Sequence, residues 1–318
     1  SNNLKIKLAE VNKGANTNTA NQIAKSLNFS EIDSTETRLI EGSDTPSSAA
    51  QKVSMAAAAA TCASTITSNL ASYRSLVTST GVVKISACET IAPNIHIAFI
   101  NLKDSRVKYD IPVSVASTAT IPHTLNLRRI TSYTSGIALV NGFTWDGDKG
   151  YPNGGQGTAK GFLNTTNIVR ARNTDADPNL TNKLIFGVSS AKALSFFETG
   201  STSYNFGSYG YNLTSSSTSV VKNGVCATST ETDRWSAIGA NPANGEVVMV
   251  SSTSAGSTNA AALCSVFKAF GINNALRLDG GPSAAMVISG VHLNPLVGGA
   301  NVLYGSSRHI AYPLRVGN

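Results

Sequence analysis

Two rhythms of apolar residues divide this chain. Between Asp44 and Gly81 the residues Ile66, Leu70, Tyr73 and Val77 recur at the spacing of one buried helix face. Thr45 can cap that helix, Pro46 suits its first turn, and the alanine-rich stretch SMAAAAATCA lets it pack closely on a neighbour. After Gly81 the texture changes to short apolar runs. The stretches GVVKISA, NIHIAFINL, RVKYDIPVSVA and GIALVNG are short, rich in Val and Ile, and bounded by turn residues, so they read as strands. Residues 1 to about 35 carry no pattern and read as an arm. The change of rhythm places a boundary at about residue 81, with an N-terminal arm and helical extension over 1–81 and a second domain over 82–318.

The segment from Asn141 to Gly210 is rich in Gly, Asn, Ser and Thr, with strands expected at KLIFGV and ALSFFET. Long polar loops in a compact domain are often functional. Further on, RWSAIGANPANGEVVMVSS reads as a hairpin whose connection ends on Asn244-Gly245. The next stretch, STNAAALCSVFKAFG, puts Leu263, Val266, Phe267 and Phe270 on one helical face, and Gly271 can end the helix. A strand then runs from Ala275 to Leu278. Strand, helix, strand favours a parallel pairing across a right-handed crossover. The fold class expected is therefore α+β or mixed α/β: a mixed β-sheet core with packed helices, preceded by the N-terminal helical extension.

Composition narrows the function. The net charge is +7, from 25 basic and 18 acidic residues among 318. The densest basic pieces, LKDSRVKYD and LNLRRI, are not polybasic runs, which argues against nucleic acid as a partner, while a mild positive field favours an anionic substrate. No stretch is apolar over enough length to cross a bilayer. Abundant Ser, Thr, Asn and Ala with few charged residues suit an exported protein. Cys62, Cys88, Cys226 and Cys264 permit two disulfides in three pairings, and Cys62 with Cys88 is the first expected. No C-x-x-C suggests structural zinc, and no metal ligand set is expected.

Chemistry concentrates at LRLDGGPSAAMVISG. Asp-Gly is ordinary turn chemistry, and a turn alone accounts for Asp279 and Gly280. It does not require Gly281, Pro282 and Ser283 as well. The carboxyl end of a buried strand is where sites gather in sheet proteins, and glycines let a ligand approach the backbone.

Four stretches in order carry a resemblance: ALVNGFTWD from Ala138, DRWSAIG from Asp233, LRLDGGPSAAMVISG from Leu276, and RHIAYPL from Arg308. Together, over about residues 83–318, they resemble the phosphodiester glycosidase family. That resemblance implies an exported hydrolase cleaving a sugar-1-phosphodiester in a glycan or cell-envelope polymer, with no cofactor required. It implies Asp279 as the carboxylate beside an oxocarbenium-like centre or the base for water, Arg234 as the cation for the phosphodiester, and Asp146 as the second carboxylate. Asn141 and Gly142, the turn residues Gly280, Gly281 and Ser283, Trp145, and Arg308 are the substrate-binding set.

The sequence departs from the family pattern at Phe143, Thr144, Trp145, Trp235, Pro282, Ala284 and Tyr312. Those departures support an alternative, a non-catalytic glycan- or surface-binding module on the same scaffold. A weaker one is an envelope-assembly or adhesion protein that docks through its N-terminal helix. Each candidate also has a plain reading. Asp279 caps its turn, Arg234 pairs with a surface acid, and Asn141 begins a turn. Asp146 lies in DGDKG, a partial echo of a calcium loop, so structural calcium is a second reading there. His96, His123, His292 and His309 are dispersed, without metal-ligand spacing, and read as structural.

Overall fold

A computed structural model of the chain describes residues 38–40, 49–85, 88–89, 95–111, 120–121, 125–126, 136–142, 145–147, 157–159, 163–165, 168–171, 184–198, 211–215, 219–229, 233–252, 258–288, 302–305, 309–310 and 313–317. Strands dominate. The main sheet has seven, in the spatial order Val225–Cys226, Ser219–Lys222, Asn274–Gly280, Trp235–Asn241, Glu246–Ser252, Ile95–Asn101 and Val82–Ile85. Every pairing within it is antiparallel.

The period-two pattern of these strands feeds two cores. On strand Ile95–Asn101, Ile95, Ile97 and Phe99 join one apolar cluster while Ala98 and Ile100 join the other. The same division separates Val248 and Val250 from Val247 and Met249. Both faces are buried, which is why these strands read as near-continuous apolar runs.

Two helices cover the first face. Helix α1 spans Ala49–Thr80 and turns Ile66 and Val77 inward, with Leu70 and Tyr73 packed alongside. Helix α2 spans Ala260–Ala269. Asn259 caps it by accepting from the Ala262 amide at 2.8 Å, and Leu263, Val266 and Phe267 are fully buried. Phe270 stacks on Phe99 of the sheet with ring centroids 5.3 Å apart. Two disulfides fasten this layer. Cys62 of α1 joins Cys88, and Cys226 of the edge strand joins Cys264 of α2.

The second face packs against two further sheets. One has six strands in the order Arg38–Ile40, Val302–Gly305, Ala285–Ile288, Gly136–Asn141, Pro313–Gly317 and Lys108–Asp110. It supplies Ala138, Val140, Met286, Ile288, Leu314 and Val316 to the shared core. The other has five strands and adds Leu184, Phe186 and Val188.

This architecture corrects the expected fold class. The protein is mainly antiparallel β, with two helices among the described residues, rather than a mixed sheet core surrounded by packed helices. Nor is α1 an extension. It lies on the sheet and against α2, because the apolar residues of the outer sheet face need a cover. The expected parallel pairing is also replaced. After α2, strand Asn274–Gly280 pairs antiparallel with Trp235–Asn241, which separates it from Glu246–Ser252. Helical periodicity on α1 identifies a buried face but not what buries it, and a strand–helix–strand order does not reveal an intervening hairpin strand.

Candidate functional site

Asp279 lies at the end of the main sheet, where its strand meets the six-stranded sheet. Trp235 pairs with Gly280, and Ala237 pairs with Arg277. Between these pairs one strand supplies only Ser236 while the other supplies Leu278 and Asp279. That count is a β-bulge, a device that re-aims side chains and ends regular pairing. The strand therefore continues past Leu278, and Asp279 sits inside its distorted end.

Asn141 ties this bulge to the neighbouring sheet. Its Nδ2 donates to the Asp279 carbonyl at 2.9 Å and to the Gly142 carbonyl at 3.2 Å. Its Oδ1 accepts from the Ala285 amide at 3.1 Å. In addition, the Asp279 amide donates to the Gly142 carbonyl at 3.0 Å. Asn141 is fully buried, so these bonds satisfy groups that water does not reach. The NG and DGGPS segments thus meet although 138 residues separate Asn141 from Asp279.

The turn after Asp279 is held by the Asp279 side chain and by the neighbouring strand. The Gly280 amide donates to Asp279 Oδ1 at 3.0 Å, and the Gly281 amide donates to the Arg234 carbonyl at 2.9 Å. Both amides are engaged within the protein. Gly281 has φ +57°, a left-handed conformation suited to glycine. At Gly280 a Cβ would meet the Arg234 carbonyl and the Trp235 ring at 2.6 Å, so glycine is required there by close approach. Gly281, Pro282 and Ser283 form one 3-10 turn, and Pro282 at its start loses no needed donor.

Arg234 immediately precedes the strand. Its amide donates to Asp233 Oδ1 at 2.7 Å, and its residue is only 6% exposed. Burial pulls the guanidinium below the ordinary arginine range, yet arginine stays cationic at any working pH. Such a cation in a low-dielectric setting attracts an anion more strongly than one in water. From the neighbouring strand, the Arg277 guanidinium lies 3.8 Å over the Trp235 ring.

The structure gathers Asn141, Gly142, Arg234, Asp279, Gly280 and Gly281 through direct contacts, with Ser283 buried in the same turn. Trp145 and Asp146 lie on strand Trp145–Gly147, which pairs with Gly157–Ala159 in a separate three-stranded sheet. Sheet pairing therefore does not join that strand to the strand of Asp279. Arg308 lies outside the described residues, as do Phe143, Thr144, Tyr312, His123 and His292. Part of DGDKG lies outside them too, and the calcium reading with it; no metal-ligand grouping occurs among the described residues.

A polar set outside the predicted site residues crosses the main sheet: the buried Ser236 and Ser251 hydroxyls are 2.9 Å apart, and His96, read from sequence as structural, lies with Nδ1 2.7 Å from the half-buried Glu89 carboxylate, to which Lys84 also donates. In sequence, His96 is the one polar residue in the apolar run IHIAFI, and Ser236 stands inside the RWSAIG stretch.

The fold and this junction define an antiparallel β protein with a polar, arginine-bearing site where two sheets meet. The sequence pattern of the phosphodiester glycosidase family matches residues 134–314, more than half of the chain, and the chain belongs to that family. The catalytic domain of zebrafish N-acetylglucosamine-1-phosphodiester alpha-N-acetylglucosaminidase, auto-inhibited by its pro-peptide, is similar in fold. The TM-score is 0.51 at 16% identity, over 70% of this chain and 76% of that one. A putative exported protein of Burkholderia pseudomallei aligns with TM-score 0.49 and 10% identity, over 70% of this chain and 74% of that one. No curated protein sequence matches the chain.

Proposed function

We propose that this protein is an exported phosphodiester glycosidase that hydrolyses a sugar-1-phosphodiester in a glycan or cell-envelope polymer. The observation that carries the reading is the Asn141 clamp, which holds the Asp279 bulge against the NG segment while Gly281 docks on the Arg234 backbone. Membership of the family supports the reaction class. The two disulfides support an oxidising compartment. The zebrafish relative acts, by its name, on an N-acetylglucosamine-1-phosphodiester, which supports a similar substrate class.

In this reading the bond between the sugar C1 and the phosphodiester oxygen breaks, and water adds to C1. The products are the free sugar and a phosphate monoester. Asp279 stabilises the oxocarbenium-like centre or takes the proton from the attacking water. Arg234 binds the phosphodiester in both ground and transition states and stabilises the charge that builds on its leaving oxygen. Asn141 sets the Asp279 position and orients sugar hydroxyls only through that backbone. Asp146 is the second carboxylate of the proposal.

The test is sugar release from a panel of sugar-1-phosphodiesters, including an N-acetylglucosamine α-phosphodiester, read by mass spectrometry. Asp279→Asn should lower kcat by about a thousandfold or more, and Arg234→Ala by about a hundredfold, with unchanged folding. Release unchanged in both variants would overturn the assigned roles. Ligand binding without release by the wild type would favour the binding-module alternative.

A further inference from the structure

A carboxylate from the neighbouring strand also faces the two glycines after Asp279, and the proposed reaction gives it no role. Asp233 directly precedes Arg234 and forms an antiparallel bridge with Thr258, its amide donating to the Thr258 carbonyl at 3.2 Å. Its Oδ1 accepts from the Arg234 amide at 2.7 Å. The Arg234 carbonyl in turn accepts from the Gly281 amide at 2.9 Å. Asp233 and Gly281 are thus fixed to opposite sides of one peptide unit. Asp233 Oδ2 accepts no hydrogen bond from the described residues, and the carboxylate has no ion pair among them.

The space over Gly281 differs from that over Gly280. At Gly280 a Cβ would meet the Arg234 carbonyl and the Trp235 ring at 2.6 Å. At Gly281, apart from its chain neighbours, the single described atom within 4 Å of a Cβ is Asp233 Oδ2, at 3.8 Å. Protein therefore packs against Gly280 and leaves Gly281 open, with a carboxylate oxygen at the edge of the opening. Solvent reaches this part of the turn: Asp233, Asp279, Gly280 and Gly281 are half-buried, and Pro282 is exposed.

The turn itself does not need that second oxygen. An asparagine at 233 could accept from the Arg234 amide equally well, so the charge and Oδ2 exceed what the local structure uses.

We propose that Asp233 is a specificity-determining residue of the site, whose Oδ2 accepts from the hydroxyl or amide donors of a saccharide lying over Gly281. This inference rests on the function proposed above and says which half of the substrate lies where. A carboxylate offers only acceptors, so it matches the donors of a sugar and repels a phosphodiester. The sugar therefore occupies the Gly281 side of the turn, and the phosphodiester lies away from Asp233. Without a Cβ, Gly281 lets the sugar approach the backbone. A hydrogen bond to a charged acceptor is stronger than one between neutral groups, so sugars that lack the matching donor are rejected.

The experiment reads binding and turnover separately. NMR titrations of the full chain use free N-acetylglucosamine, glucose and inorganic phosphate as probes. At least one of the two sugars should bind, and phosphate should not displace it. Asp233→Asn keeps an acceptor for the Arg234 amide but turns a donor toward Gly281. Its thermal unfolding should match the wild type, and its sugar affinity should fall about tenfold. Gly281→Asn places a residue that tolerates the left-handed region in the opening and should abolish sugar binding. Unchanged sugar affinity in Asp233→Asn, no binding of either sugar to the wild type, or displacement of the sugar by phosphate would overturn the proposal. In turnover of the N-acetylglucosamine α-phosphodiester, Asp233→Asn should raise KM about tenfold with little change in kcat. A fall in kcat at unchanged KM would refute the binding role. Absence of release by the wild type from every diester would count against the proposed function, while the sugar titrations would still decide the role of Asp233.

Discussion

The two ends of the Trp235–Asn241 strand show opposite uses of buried polarity. At the hairpin end the side chains of the turn itself close it through local bonds. Asn241 Oδ1 accepts from the Ala243 amide, Asn244 Oδ1 accepts from the Glu246 amide, and Asn244 Nδ2 donates to Glu246 Oε1. Long-range ties also reach this end: Arg74 of α1 holds the Glu246 carboxylate through Nε and Nη2 at 2.9 to 3.1 Å, Lys103 Nζ donates to the Ala243 carbonyl at 3.1 Å, and the Leu102 amide donates to the Gly245 carbonyl at 2.9 Å. At the site end the partners come from distant segments: Asn141 to Asp279, Asp279 to Gly142, Gly281 to Arg234. Local bonds close a turn whatever surrounds it. Long-range bonds hold only when both sheets are in place, so the site end depends on the whole fold.

The largest test of that contrast is Asn141→Ala. It leaves the buried Ala285 amide and the half-buried Asp279 carbonyl without their partner and should destabilise the protein by about 3 kcal/mol in denaturant unfolding. Sugar release should fall as well, because the bulge loses its tether. Next is Gly280→Ala, whose Cβ would collide with the Arg234 carbonyl and the Trp235 ring, a cost of about 2 kcal/mol. Smallest is Arg74→Ala. Its side chain is 48% exposed, solvent screens the pair, and Glu246 keeps Asn244, so a loss of about 1 kcal/mol or less is expected. Sugar release should be unchanged in that variant. A reversed order, with Arg74→Ala the most destabilising, would break the comparison by making the hairpin end the more dependent on tertiary structure.

Much of the fold is legible in the amino-acid sequence alone. The face of α1 formed by Ile66 and Val77, the hairpin connection ending on Gly245 and the end of α2 at Gly271 follow from short-range rules, and Cys62–Cys88 was the first expected of three open pairings. Those rules see neighbours in sequence. They do not show that α1 lies on the main sheet, or that a hairpin strand separates Glu246–Ser252 from Asn274–Gly280. Each outcome depends on which apolar faces meet, and many partners could satisfy the same pattern.

The candidate site divides in the same way. Asp279, Gly280 and Gly281 stand out because an acid followed by two glycines exceeds what a turn needs, and Asn141 and Arg234 stand out through the family resemblance. What the amino-acid sequence determined by itself was therefore the local elements and the residue types able to do chemistry. Only the tertiary structure decided the bulge opposite Ser236, the burial of Arg234 and the tie from Asn141 to Asp279. Register across strands is set by the sum of contacts between sheets, and no single segment encodes that sum.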